Sequence, residues 1–257
     1  MIKVIIPASG IGTRFGSDTP KQFVALKGEP ILKRTISAFQ HLAIVDEIVV
    51  AVPQGYVQTV IGYGFDKVRH VVEGGKDRAS SVYAALKCLP IDTHIVLIHD
   101  GVRPFVTCAL VQTVVKTVKQ HGAAVACTPV TDTIKQSKKA APPLSKGSVA
   151  GIHSLRNGGV WGSAPLEPNH QIEATLDRTR LWRAQTPQGF TYNIIMKAYR
   201  QAEKDGILHQ ATDDSALVER LGIPVYIVPS SPRNIKITTA EDLMIAEAFL
   251  NGDRETK

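Results

Sequence analysis

Short apolar runs and longer stretches of helical spacing alternate through the first half of the chain. Val4-Ile5-Ile6 is a run stopped by Pro7 and a glycine-rich loop, and Glu47 to Val52 and Val68 to Val72 are two more β-branched runs. His94 to Ile98 is a run of the buried type that ends at His99-Asp100. Runs of that length and composition predict strands, as does Ala123 to Val130. Between them Ile31, Leu32, Thr35, Ile36 and Phe39 fall on one face of a predicted helix, and Ser80 to Leu89 and Leu110 to Lys119 predict two more. Strands alternating with helices imply parallel pairing and helices on both faces of the sheet, an α/β fold. In such sheets ligands bind beyond the carboxyl ends of the strands, so the loops after Ile6, Val72 and Ile98 are expected to meet at one site.

From Thr131 to Arg183 the rhythm breaks. Pro142, Pro143, Pro165, Pro168 and the glycines at 147, 151, 158, 159 and 162 interrupt it, and no apolar period is sustained. The stretch is longer than an ordinary structureless loop and predicts an excursion from the sheet with its own structure or a partner. The pattern then returns as helices over Tyr192 to Glu203, Asp213 to Leu221 and Glu241 to Leu250, with a strand at Val225 to Val228. Residues 1–257 are therefore read as one domain with 131–183 inserted as an arm, ending in a polar tail from Asn251.

With 44% hydrophobic and 21% charged residues, the 257-residue chain has the composition of a globular protein with a full core. Its formal charge of +7 fits a nucleic-acid surface, a small polyanionic substrate or a merely solvated surface. Aromatic content of only 6%, and Lys138-Lys139 without aromatic neighbours, argue against nucleic acid. Cys88, Cys108 and Cys127 form no CxxC pair, which gives no support to a zinc site and suits a reducing compartment. Met1 to Pro7 is too short for the apolar region of a signal peptide, and no run approaches a membrane span. A cytoplasmic protein with no membrane partner is expected, with no second enzyme fused after Leu250.

Chemistry concentrates in the loops. Pro7-Ala8-Ser9-Gly10-Ile11-Gly12-Thr13-Arg14-Phe15-Gly16 is a glycine-rich loop after the first strand, where backbone N–H groups can face a phosphate and Arg14 offers a planar fork to its oxygens. A tight turn is the competing reading. The spacing is neither the dinucleotide GxGxxG nor a P-loop, because no Gly-Lys-Ser/Thr follows. Lys21, in Pro20-Lys21-Gln22-Phe23, supplies a point charge suited to a polyphosphate if it is more than a surface lysine. Asp100, at the end of a buried strand, suits Mg²⁺, which takes one or two carboxylates together with substrate phosphates; a turn cap is the alternative. His99 is read as a packed, hydrogen-bonded loop residue.

These motifs resemble the 2-C-methyl-D-erythritol 4-phosphate cytidylyltransferases of non-mevalonate isoprenoid synthesis, a family related to the ribitol-5-phosphate cytidylyltransferases. The resemblance runs nearly end to end. It continues from the first loop and Pro20-Lys21-Gln22 through Gly74-Gly75-Lys76-Asp77-Arg78-Ala79-Ser80-Ser81-Val82, His99-Asp100-Gly101-Val102-Arg103-Pro104 and Pro129 to Lys135. It then takes in Asp177-Arg178-Thr179-Arg180-Leu181-Trp182, Gln185-Thr186-Pro187-Gln188, Thr212-Asp213-Asp214 and Asn234 to Thr239.

The resemblance implies a Rossmann-like, mostly parallel sheet of the nucleotidyltransferase type with a protruding dimerisation arm. It implies attack of a sugar-alcohol phosphate on the α-phosphorus of CTP with release of pyrophosphate, polyol phosphates such as ribitol 5-phosphate being the alternative acceptors. Arg14, Lys21 and Lys236 would act at the phosphates. Ala8, Ser9, Gly10, Gly12, Gly75, Ser81, Asp100 and Gly101 would contact the nucleotide, with Gly75 and Ser81 reading cytosine. Arg103, Thr133, Arg178 and Lys236 would hold the acceptor, Thr133 and Arg178 being lent across a homodimer by exchanged arms, and Asp100 would hold Mg²⁺. Ser9 and Gly101 stand where the family often has alanine, and the stretch from Lys135 to Asp177 is longer than usual in it.

Overall fold

Strand β1 (Ile2–Pro7) sends Val4 and Ile6 to one side and Ile5 to the other, and all three are fully buried. A run apolar on both faces belongs inside a sheet covered on both sides. The computed structural model, which describes residues 1–10, 19–138 and 171–255, provides that cover. Gly12, Arg14, Trp161 and Lys139 lie outside the described residues.

Strands β4 (Glu47–Val52), β5 (Val68–Glu73), β6 (Ile95–Ile98), β7 (Ala123–Pro129), β10 (Trp182–Thr191) and β11 (Tyr226–Pro229) join β1 in a sheet of order β11-β7-β10-β6-β1-β4-β5. All its neighbours pair in parallel except β10, which runs antiparallel to both β6 and β7. Helices α1 (Ile31–Gln40), α2 (Val57–Ile61) and α4 (Cys108–His121) pack on one face. On the other lie α3 (Arg78–Lys87), α5 (Tyr192–Lys204) and α6 (Asp214–Glu219). A small third cluster joins Leu26 of the hairpin β2 (Ala25–Leu26) and β3 (Glu29–Pro30) to Val102, Ile237 and Ala246 of α7 (Ala240–Glu255).

Helix starts follow side-chain caps. Asp77 accepts from the Ser80 amide at 2.7 Å, so α3 opens at Arg78 and not at Ser80. Thr107 does the same for Leu110, and α4 ends at Gly122, whose φ of 89° few other residues adopt.

Strand β10 is the strand of the seven-stranded sheet that the hydrophobic pattern does not predict. Ala184-Gln185-Thr186-Pro187-Gln188-Gly189 is neither apolar nor alternating, yet it lies at the centre of the sheet. Its pairing with β7 is interrupted between Ala184 and Gln188, and that irregularity accommodates Pro187, which has no N–H to give to a ladder. Before β10, β8 (Lys135–Ser137) and β9 (Ile172–Thr175) form a separate antiparallel pair at the base of the arm. Cys127 is buried in β7, whereas Cys88 is only half-buried and Cys108 is exposed.

Gly189 lets α4 sit directly on β10. A Cβ there would lie 2.8 Å from methyl groups of both Val114 and Val118. Gly189→Ala is therefore expected to lower the unfolding free energy by about 1–3 kcal/mol, measured by urea denaturation.

Candidate active site

The carboxyl ends of β1, β5 and β6 bring three loops together. Gly74 crosses the first loop so closely that a Cβ would meet the Ser9 side chain at 2.2 Å. A Cβ on Gly101 would lie 2.8 Å from that of Ala8. The Ser9 and Ser81 hydroxyls are 2.6 Å apart, and Ser81 also donates to the Asp77 carbonyl at 2.7 Å. Gly75 packs against Ser80, the first turn of α3. Gln22, buried in the 3₁₀ turn Lys21–Phe23, donates its amide to the Ala8 carbonyl and so ties the Lys21 turn to the first loop. Ala8, Ser9, Gly75, Ser81 and Gly101 thus converge, with Lys21 on the adjoining turn, while Gly10 follows Ser9 in the chain and is exposed.

Asp100 lies just beyond the end of β6, inside this convergence, and is 6% exposed. Its Oδ1 accepts from Arg78 Nε at 3.2 Å; its Oδ2 accepts from Arg103 Nε at 3.2 Å and from Lys236 Nζ at 3.0 Å. Burial disfavours its charge, but Arg78, Lys236 and Arg103 outweigh that and hold the carboxyl well below the usual carboxylate range. Arg78 also gives Nη2 to Asp214 Oδ2 at 2.7 Å. Burial works against its charge too, yet Asp214 and Asp100 keep the guanidinium firmly protonated. Three cations thus face two carboxylates, a surplus of positive charge at the edge of a buried cluster. Lys236 is the most solvent-exposed of the three.

The frame around Asp100 comes from β10 and the loop before α7. Thr186 Oγ1 accepts from the Asp100 amide at 3.0 Å. Asn234 donates to the Thr186 carbonyl at 2.8 Å and to Gln185 Oε1 at 3.0 Å, and its own carbonyl accepts from Arg103 Nη1 at 2.8 Å. Arg103 is nearly buried and committed to these bonds.

His99 is fully buried behind the site. Its Nε2 lies 3.0 Å from the Arg103 carbonyl, which can only accept, so Nε2 carries the proton and Nδ1 accepts from Thr186 Oγ1 at 3.1 Å. Burial pushes its pKa from 6.5 down to about 4, against the opposing pull of the Arg103 carbonyl and Asp100. The ring is a neutral strut.

Thr133 and Arg178 are exposed on the arm, and Arg178 Nη1 donates to the Thr131 carbonyl. Within one chain they remain with the arm and are not joined to the Asp100 cluster by any described contact. No group of three or more His, Cys, Asp or Glu side chains able to hold a metal occurs among the described residues. Asp100 is thus a single carboxylate, able to hold a cation only together with substrate oxygens. The sequence reading gave no role to Arg78, Asp214, Thr186 or Asn234. Each lies inside a recognised motif, and its partner is distant in the chain.

The model of the 2-C-methyl-D-erythritol 4-phosphate cytidylyltransferase (IspD) family matches residues 2–145 and 165–252. The chain is 41% identical to the 2-C-methyl-D-erythritol 4-phosphate cytidylyltransferase of Syntrophus aciditrophicus, covering 97% of this chain and 95% of that protein. It is 38% identical to that of Symbiobacterium thermophilum, covering 97% and 92%. Among solved structures, the 2-C-methyl-D-erythritol 4-phosphate cytidylyltransferase of Thermus thermophilus superposes with a TM-score of 0.71 at 30% identity, over 96% of this chain and 98% of that one. The 4-diphosphocytidyl-2C-methyl-D-erythritol synthase of Anaerococcus prevotii gives 0.76 at 25% identity, over 97% and 96%.

A histidine that folds neutral sets a pH dependence. Between its folded pKa of about 4 and the ordinary 6.5, the unfolded chain binds a proton that the folded chain refuses. The stability that the neutral ring supports is complete above that window and is lost as pH falls through it. The unfolding free energy should drop between about pH 7 and about pH 5, and drop less in His99→Gln, as measured by denaturation at each pH.

Proposed function

The chain belongs to the 2-C-methyl-D-erythritol 4-phosphate cytidylyltransferase family, and on that premise we propose how its residues divide the work of the family's reaction. It is a nucleotidyltransferase that joins CTP to 2-C-methyl-D-erythritol 4-phosphate, yielding the CDP-alcohol and pyrophosphate in isoprenoid precursor synthesis. The relatives named above favour that acceptor over ribitol 5-phosphate.

The observation that carries the division of labour is the placing of Asp100, with Arg78, Arg103 and Lys236 around it, beside the crossing of two glycine loops. An acceptor phosphate oxygen forms a bond to the α-phosphorus while the bond from that phosphorus to the bridging oxygen breaks, and pyrophosphate carries the electron pair away. The attacking phosphate is already an anion at neutral pH, so no general base is needed, and neutral, buried His99 is left out. Catalysis is then positioning and charge stabilisation. Lys236 and Lys21 neutralise phosphate oxygens, with Arg14 assigned the same task from its motif. The Ala8–Gly10 loop lies along the nucleotide phosphates, and Gly75 and Ser81 read the base through backbone groups and a hydroxyl.

Asp100 fits Mg²⁺ held jointly with phosphate oxygens: it is ionised, and its Oδ2 is shared with the partly exposed Lys236 amine, which is free to turn to a phosphate. When bound, Mg²⁺ neutralises phosphate charge and orients the triphosphate. Two exchanged arms of a homodimer would bring Thr133 and Arg178 to the neighbour's acceptor phosphate, a reading supported by their exposure beyond the sheet. The cytoplasm, where CTP is at hand, is the expected place of action. No described helix is long and apolar enough to cross a membrane.

Pyrophosphate release from CTP should require 2-C-methyl-D-erythritol 4-phosphate. In Asp100→Asn it should fall by about 10²-fold or more while the circular dichroism spectrum is kept. Retained turnover would remove Asp100 from the site. Arg178→Ala should raise the KM for the acceptor phosphate well above any change in that for CTP. Equal effects on the two substrates would argue against the exchanged arm.

A further inference from the structure

Arg78 stands between two carboxylates, and the more deeply buried one holds it more tightly. Its Nη2 reaches Asp214 Oδ2 at 2.7 Å, while only Nε, at 3.2 Å, reaches Asp100. Asp214 is 0% exposed and is anchored from three elements. Its Oδ1 accepts from the hydroxyl of buried Tyr199 on α5. Its backbone amide, with that of Ser215, donates to Gln188 Oε1 of β10, at 3.1 and 2.9 Å. The same glutamine donates to Asp213 Oδ2 at 2.9 Å, so the start of α6 is clamped to the sheet. Tyr199 is in turn stacked on Tyr83 of α3, the helix that carries Arg78. A buried carboxylate is tolerated only when paired, and Arg78 is the one cation within ion-pair distance of Asp214 among the described residues.

We propose that Asp214 is a positioning residue, which holds Arg78 to Oδ1 of Asp100 and so leaves the place on Oδ2 that Lys236 fills open to a divalent cation once that amine turns to a phosphate. An arginine facing one carboxylate favours a two-pronged bond that occupies both oxygens. With Nη2 drawn to Asp214, Arg78 spends a single N–H on Asp100 Oδ1. Asp214 also places a second negative charge against Arg78, which weakens the repulsion that this guanidinium exerts on a cation beside Asp100. The inference rests on the reading of Asp100 as the metal carboxylate and adds to it a residue that touches neither metal nor substrate.

The test is a titration of the full chain with Mn²⁺ in the presence of CTP and the absence of acceptor, with free Mn²⁺ read by electron paramagnetic resonance. Asp214→Asn should bind Mn²⁺ about tenfold or more weakly than the unaltered protein. Asp214→Glu, which keeps the charge, should remain near the unaltered value. The double variant Arg78→Gln/Asp214→Asn should recover most of the lost affinity, because the arginine released in the single variant is gone; a merely structural role would leave it as weak as the single one. Unchanged binding in Asp214→Asn, or no recovery in the double variant, overturns the proposal. If Asp214→Asn does not fold, Tyr199→Phe, which removes one bond to Asp214 and keeps the ring, should show the same loss in smaller measure, and unchanged binding there overturns it instead. Asp100→Asn separates the two readings. If it binds Mn²⁺ as well as the unaltered protein does, the metal assignment fails and the inference with it; if binding depends on Asp100 but not on Asp214, only the inference fails.

Discussion

A carboxylate buried at the end of a strand is the constraint around which this fold is arranged. Asp100 cannot keep its charge out of water without partners, and its partners come from α3, from its own loop and from the segment before α7. Those segments lie far apart in the chain, and each needs its own support. Asp77 caps the helix that carries Arg78, Asn234 locks the loop that carries Lys236 to Thr186, and Thr186 holds the Asp100 amide. The sheet supplies the floor and the charges supply the register among the loops. A cluster rich in cations is thus kept in order by an acid of its own.

Most of the sheet was legible because buried parallel strands are written as short β-branched runs and their helices as one-sided apolar stripes. Val4-Ile5-Ile6, Glu47 to Val52 and His94 to Ile98 are such runs, and each is a strand. Strand β10 was not legible, because its central residues are chosen for other tasks. Thr186 and Gln188 use their side chains as hydrogen-bonding frames for Asp100 and α6, and Gly189 is kept small for α4. A segment with so many side-chain duties carries no hydrophobic period. The helix starts at Arg78 and Cys108 were missed by two residues because caps, and not apolar spacing, set them.

The loops that meet beside Asp100 were legible for a different reason. Glycines whose added Cβ would strike Ser9 or Ala8 leave a mark in the sequence, and so do a strand that ends in His-Asp and a lysine that follows a glycine loop. What the sequence did not convey was who pairs with whom. Nothing local links Arg78 to Asp214 or Asn234 to Arg103; these are long-range ion pairs and hydrogen bonds that only the fold closes. The neutral state of His99 is likewise a product of burial and is not a property of the motif that contains it.

The arm leaves the sheet from β7 and returns directly into β10, and these two strands are neighbours, with Pro129 opposite Trp182. Farther out, the Lys138 amide donates to the Gln171 carbonyl at 3.0 Å. The excursion is therefore fastened shut at its root, twice over. Extending a loop whose ends are already held costs little, roughly 0.6 kcal/mol for each doubling of its length. The stretch that the family model leaves unmatched, residues 146–164, lies beyond both fastenings. A change in the length of this excursion would thus leave the pairing of β7 with β10 in place, since the register of the two strands is held at the root of the arm.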